Sequence, residues 1–303
     1  MSGTLATEGV RPSLAELIEL RALVQGRRPA RQGRYGVQGH ALSNLRGRGM
    51  EYAESREYAM GDDARHMDWR LTARSGKAHT KLFQAERERL TLIVADTAPA
   101  LYFGTRVRFK SVQAARAGAL MAWLALRDGD RLAALCGSES GMSVAPVAGV
   151  RGVMHVLDAL TRWYSVPPPA SVPLTKLLEQ AQRLLRPGAR VLVLADPQSV
   201  LDVSPLRWAA LAKFDSGILL LTDPLESKPP KAQLSFVGEA NERVTLALDA
   251  AAVRQRWLQA FEAPVASALA LLQAKGIRAA ELSSHAQSDT WLGLMDRPKG
   301  AWR

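Results

Sequence analysis

Three short apolar runs, each closed by an aspartate, constrain the fold of this chain more than any other feature. Thr91, Leu92, Ile93, Val94 and Ala95 precede Asp96, Val191 to Ala195 precede Asp196, and Ile218 to Leu221 lead to Asp223. None of the runs alternates polar with apolar residues, which is the pattern of a strand buried on both faces in a parallel, helix-covered sheet. The carboxyl ends of such strands share one edge, where open α/β sheets take their ligands. The three aspartates are therefore expected along a single rim. After Asp96 come Thr97, Ala98, Pro99 and Ala100, a loop with Gly104 and a helical pattern over Val107 to Leu126, so Asp96 faces a helix N-terminus. A plain turn-capping role for Asp96 stays open beside a ligand role.

The remaining elements follow from periodicity and punctuation. Pro12 to Val24 predicts one short amphipathic helix, Asp130 to Cys136 a strand, Met142 to Val147 an edge strand and Gly152 to Tyr164 a helix. Leu174 to Leu185 is helical and stops at Pro187 and Gly188. Gln233 to Leu248 reads as a hairpin, Val253 to Leu272 as a helix kinked or restarted at Pro264, Ile277 to Leu282 as a last strand, and Thr290 to Met295 as a short end helix. The lone Cys136 excludes an internal disulfide and suits a reducing, cytoplasmic setting. No apolar stretch reaches the roughly 18 residues of a spanning helix. A net charge of +11 leaves contact with an anionic membrane, nucleic acid or acidic protein open.

Two segments before Leu90 stand apart. Arg27 to Arg48 gathers arginines among glycines with no acid, as a basic loop would, but its single aromatic, Tyr35, argues against base stacking. The stretch after it mixes signs: Glu51, Arg56, Glu57, Tyr58, Gly61, Asp62, Asp63, Arg65, Asp68, Trp69, Arg70, Thr72 and Arg74. Asp62, Asp63 and Asp68 could serve a hard cation in a hydrolase or nuclease. The interspersed arginines favour mutual pairing instead, with Trp69 buried as the anchor of the segment.

These residues resemble the bacterial "domain of unknown function 58" proteins. The resemblance is carried by R-G-R-G-M-E-Y from Arg46 through Arg48, Gly49 and Glu51, and by R-E-Y-A-M-G-D-D-A-R-H-M-D-W-R-L-T-A-R from Arg56 to Arg74. K-L-F-Q-A-E from Lys81, Lys110, the D-G-D turn at Asp128 and D-P-L-E from Asp223 to Glu226 extend it. It implies a von Willebrand factor type A-like α/β domain over residues 89–303, with a mostly parallel sheet and helices on both faces. It also implies an N-terminal helix and arginine-rich signature segment over residues 1–88.

The role implied by the resemblance is that of a non-enzymatic cytoplasmic adaptor for a MoxR-type AAA+ ATPase and its client protein, with the signature residues, Asp223 and Glu226 as partner-binding positions and no small-molecule substrate. Type A domains hold a divalent ion on an Asp-x-Ser-x-Ser turn, a Thr and a further Asp. Here Asp96 and Asp196 match the acids, Ala98 and Ala100 replace the serines, and Ser171 or Val172 stands for the Thr. A degenerate site holding Mg²⁺ or Mn²⁺ weakly or not at all is the expectation. The competing expectations are a metal-dependent hydrolase or nuclease, on Asp62, Asp63 and Asp68 or on Asp96 with Asp196, and an electrostatic binder acting through Arg27 to Arg48.

Overall fold

The computed structural model describes residues 9–26, 50–85, 89–138, 143–237 and 243–295. The chain divides into two units, Arg34–Glu88 and the remainder. The larger unit begins with α1 (Leu14–Glu19) and α2 (Ala22–Gln25), two pieces where periodicity predicts one helix. Ser13 caps α1 by accepting the Glu16 N–H. Leu17, Leu20 and Val24 are buried in the larger unit's core, the Trp123 indole donates to the Leu17 carbonyl (3.0 Å), and Arg116 pairs with Glu16. The N-terminal helical region thus packs within the core of the larger unit.

The smaller unit holds a hairpin of β1 (Met50–Glu57) and β2 (His79–Ala85), antiparallel and bulged between Tyr52 and Glu54, with α3 (Trp69–Ser75) in the connection. The remaining elements belong to the larger unit. They are β3 (Leu90–Ala95), α4 (Lys110–Arg127), β4 (Arg131–Cys136), β5 (Val144–Ala148), α5 (Gly149–Trp163), α6 (Leu174–Leu184), β6 (Arg190–Ala195), α7 (Pro197–Leu201), α8 (Pro205–Leu211), β7 (Asp215–Thr222) and α9 (Pro224–Ser227), then the hairpin β8 (Gln233–Val237) and β9 (Arg243–Ala247), α10 (Ala251–Ala274) and β10 (Arg278–Ser283). The chain's described part closes in a 3-10 turn, Leu292–Met295.

Six strands form the main sheet in the order β10-β7-β6-β3-β4-β5, parallel except for the β4–β5 pair. The apolar runs are unbroken because neither face meets water. Ile93 and Ala95 of β3, Leu192 and Leu194 of β6, and Leu219 and Leu221 of β7 enter one core with α1, α4 and α5. Leu92, Val94, Val191, Val193, Ile218 and Leu220 enter the other, with α6, α8 and α10. Each of these Leu, Ile and Val side chains contributes roughly 1.5–3 kcal/mol by burial. Pro264 lies inside α10 without ending it: the carbonyl that loses its donor belongs to Ala260, which is exposed, so water can satisfy it.

The amino edge of the sheet is fastened by ions. Arg89 Nε donates to both Asp130 oxygens (2.9 Å each), Arg190 Nη1 to Asp128 (2.9 Å), Arg190 Nε to Asp215 (3.2 Å), and Arg278 pairs with Asp215. Gly129, at φ +73, makes the turn that sets Asp128 and Asp130 side by side. Burial pushes the Asp130 carboxyl up, against the pull of Arg89 and Thr91. Arg190 is itself buried and bridges Asp128 to Asp215, so its removal takes a shared cation from two acids in low dielectric. Arg190→Ala is expected to cost about 3–5 kcal/mol in urea unfolding; an unchanged midpoint would show that the network does not hold this edge.

Candidate functional site

The sheet order reverses between β3 and β6, and open α/β sheets bind ligands at the carboxyl end of such a switch point. Asp96 and Asp196 flank it, with Asp223 next along the rim at the end of β7. Asp96 is 2% exposed. Its Oδ1 accepts the Ala98 N–H (3.0 Å), its Oδ2 the Asp196 N–H (3.2 Å), and the Ser199 hydroxyl adds a further bond. Burial nevertheless pushes its carboxyl up. Asp196 caps α7 through the Gln198 N–H (3.0 Å), and its other oxygen accepts from Lys110 Nζ at 3.3 Å.

Lys110 is the cation of this rim. It opens α4, is 1% exposed, and also donates to Glu226 Oε1 at 2.5 Å. Burial pushes the Glu226 carboxyl up despite that ammonium. Glu226 Oε2 accepts the Asp223 N–H (2.8 Å), closing a capping box on α9. Asp223 then ties three segments together. It accepts from the Thr105 hydroxyl (2.5 Å) and N–H (3.0 Å), the Leu225 N–H (3.0 Å) and the Ser284 hydroxyl (2.6 Å). Burial opposes its charge, but the Ser284 and Thr105 bonds outweigh burial and hold its carboxyl below the usual range. Beside Asp96 a cleft of about 250 Å³ is lined by Ala98, Ser171, Val172, Thr175 and Ser199.

In the smaller unit the acids are likewise engaged. Arg56 pairs with Asp62 (2.6 Å) and Lys77 with Glu57 (2.8 Å), while the Tyr58 hydroxyl donates to the Asp62 carbonyl. The Ala59 N–H, then Arg56, hold the Asp62 carboxyl low. Asp63 accepts the Arg65 N–H (2.9 Å), and Asp68 caps α3 through the Leu71 N–H (3.0 Å) while accepting from Ser55 (2.7 Å). Thr72 accepts the His79 N–H (3.0 Å), and Gly61 turns at φ +106. Glu51 pairs in β1 with Gln84 of β2. Arg46, Arg48, Gly49 and the basic stretch Arg27 to Arg48 lie outside the described residues.

With this geometry in place, a family model described as "Protein of unknown function DUF58" matches residues 54–266. The chain belongs to this family. Uncharacterized proteins Rv1480 of Mycobacterium tuberculosis and Mb1516 of Mycobacterium bovis are each 30% identical to it over 200 residues. The match covers 64% of this chain and 62% of theirs. The DUF58 match contains both the Arg56 to Arg74 signature and the rim from Asp96 to Glu226.

Two expectations for this DUF58 chain need correction. Trp69 is 68% exposed, so it does not anchor its segment; Asp68 does that by capping α3. The pairing acids use fewer arginines than expected, since Glu57 takes Lys77 and Asp63 and Asp68 accept backbone N–H groups.

The rim does not fit a divalent ion. Both Asp96 oxygens already accept N–H bonds, an ammonium occupies Asp196, and Ala98 and Ala100 offer no hydroxyl. Thr97 and Thr105, which could have substituted, donate to the Gly137 carbonyl (2.6 Å) and to Asp223. Among the described residues no cluster of three His, Cys, Asp or Glu suits a metal, Asp62, Asp63 and Asp68 included.

Sequence reasoning missed the roles of Lys110 and Ser199. Lys110 had a signal: a lysine at the positive end of an alanine-rich helix is unfavourable there unless acids face it. Ser199, three residues after Asp196, had none.

Two measurements test the rim. Calorimetric titration with Mg²⁺ or Mn²⁺ is expected to give no single-site isotherm and no rise in melting temperature; an isotherm lost in Asp96→Ala would overturn the ammonium assignment. Asp223→Asn is expected to lower the melting temperature at neutral pH. Because the folded Asp223 pKa is depressed, the wild-type advantage persists down to about pH 4, the ordinary aspartate value, and disappears as pH falls through the lower folded value. A gap independent of pH would refute the charged role of Asp223.

Proposed function

We propose that this DUF58 protein is a non-enzymatic cytoplasmic adaptor, working with a MoxR-type AAA+ ATPase in the chaperone-like maturation or assembly of client proteins. The observation that carries this reading is how the acids are used. The carboxylates at the sheet rim, the place for metal or acid–base chemistry, are buried and bonded to their own chain. The signature segment instead leaves arginines and an indole facing solvent, the side chains that dominate protein interfaces.

The larger unit is read as a von Willebrand factor type A-like domain. Counting only the strands of its main sheet by appearance, they lie 6-5-4-1-2-3 with the third antiparallel, which is the doubly wound arrangement. Among the described residues no helix is long and apolar enough to cross a membrane, which agrees with work at a cytoplasmic surface.

Copurification of the tagged, full chain from its native cell, with and without ATP, tests the proposal. The expected result is an AAA+ ATPase retained in a nucleotide-dependent manner at physiological salt. Retention of no ATPase, or of nucleic acid released steeply by salt, would overturn it.

A further inference from the structure

We infer that the outward face of α3, formed by Trp69, Arg70, Ala73 and Arg74, is the docking face for an acidic protein segment that carries an apolar anchor. The inference rests on the adaptor reading and names the chemistry of its partner. Trp69 and Ala73 are one turn apart on one stripe of the helix, and Arg70 and Arg74 are one turn apart on the next. All four residues are exposed, Trp69 at 68%. The indole does not hold the helix in place, since Asp68 fixes the N-terminus of α3 and Gly76, at φ +70, its C-terminus.

Charge selects the occupant. Within residues 55–81 every acid is engaged: Glu57 by Lys77, Asp62 by Arg56, and Asp63 and Asp68 by backbone N–H groups. The Arg70 and Arg74 guanidinium groups have no partner among the described residues. Two carboxylates spaced by one helical turn would meet this arginine pair in bidentate geometry, while an apolar side chain beside them would cover the indole. A polyanion fits less well. Polyanion affinity grows with the number of phosphates neutralised, and two arginines one turn apart on a short helix neutralise few.

The test places a photo-crosslinking amino acid at Ala73 of the full chain in its native cell and reads the attached segment by mass spectrometry. The expected result is a segment of another protein with net negative charge and an apolar residue within one turn. Crosslinking should fall about tenfold or more in an Arg70→Glu, Arg74→Glu background and in Trp69→Ala, with the melting temperature unchanged. A crosslink to residues 89–303 of the same chain, an adduct with nucleic acid, a basic or neutral segment, or no crosslink would each overturn the inference. If the charge-reversed protein still retains the ATPase and its Ala73 crosslink is undiminished, the adaptor reading stands and this face is wrong. If the acidic crosslink forms but no ATPase copurifies, the face stands and the adaptor reading falls.

Discussion

The rim depends on one buried ammonium. Lys110 sits at the N-terminus of α4, where the helix dipole disfavours a cation, and burial adds a desolvation cost. Asp196 and Glu226 offset both by closing on Nζ at 3.3 and 2.5 Å. The consequences spread through hydrogen bonds. Asp196 donates its N–H to Asp96 across the switch point, and Glu226 receives the Asp223 N–H, which draws in Thr105 and Ser284. Loops after β3, β6, β7 and β10 are thereby fixed relative to one another by a cation the chain supplies itself. A divalent ion could fix them in the same way, but it would have to displace the Lys110 ammonium from Asp196 and would find no hydroxyl at Ala98 or Ala100.

The two edges of the sheet are built on opposite plans. At the amino edge, guanidinium groups fan between aspartates, and Arg190 alone reaches Asp128 and Asp215. Planar donors suit that edge because one group can bridge several carboxylates. At the carboxyl edge the cation is a point charge on a flexible stem reaching from a helix, and most remaining acceptors are filled by backbone N–H groups. Both arrangements bury charge at a cost in desolvation, and both hold loops or strand starts that apolar packing does not reach.

Much of this architecture was legible because it follows from burial. Runs such as Leu92 to Ala95, short and bounded by turn residues, read as strands covered on two faces, and the aspartates that end them fall on one rim. Boundaries were less legible where a strand begins with a charge. Arg190 opens β6 and Asp215 opens β7, yet both read as loop until their partners across the sheet are known. The split between α1 and α2, and the packing of that region against α4, depend on contacts distant in sequence, such as Trp123 with Leu17. Of the candidate site, the acids were visible and their use was not. Whether an aspartate caps a helix, meets an ammonium or holds a metal depends on groups about a hundred residues away: the donors to Asp196 and Asp96 come from Lys110 and Asp196.

The exposed Trp69 completes the physical argument. Hydrophobic patterning assigns a tryptophan to a core by default, because its burial removes more apolar area than that of any other side chain. Here the short α3 is fixed by polar means at both ends, Asp68 and Gly76, and Thr72 ties it to His79 of β2. A helix held in this way is free to turn its largest apolar side chain to solvent without losing its place in the unit. The chain's acids follow a related pattern. Those of the rim and of the signature segment are consumed internally, so part of the +11 excess stays uncompensated at the surface. The outward face of α3 combines that leftover positive charge with unburied apolar area, and association with an acidic partner would satisfy both.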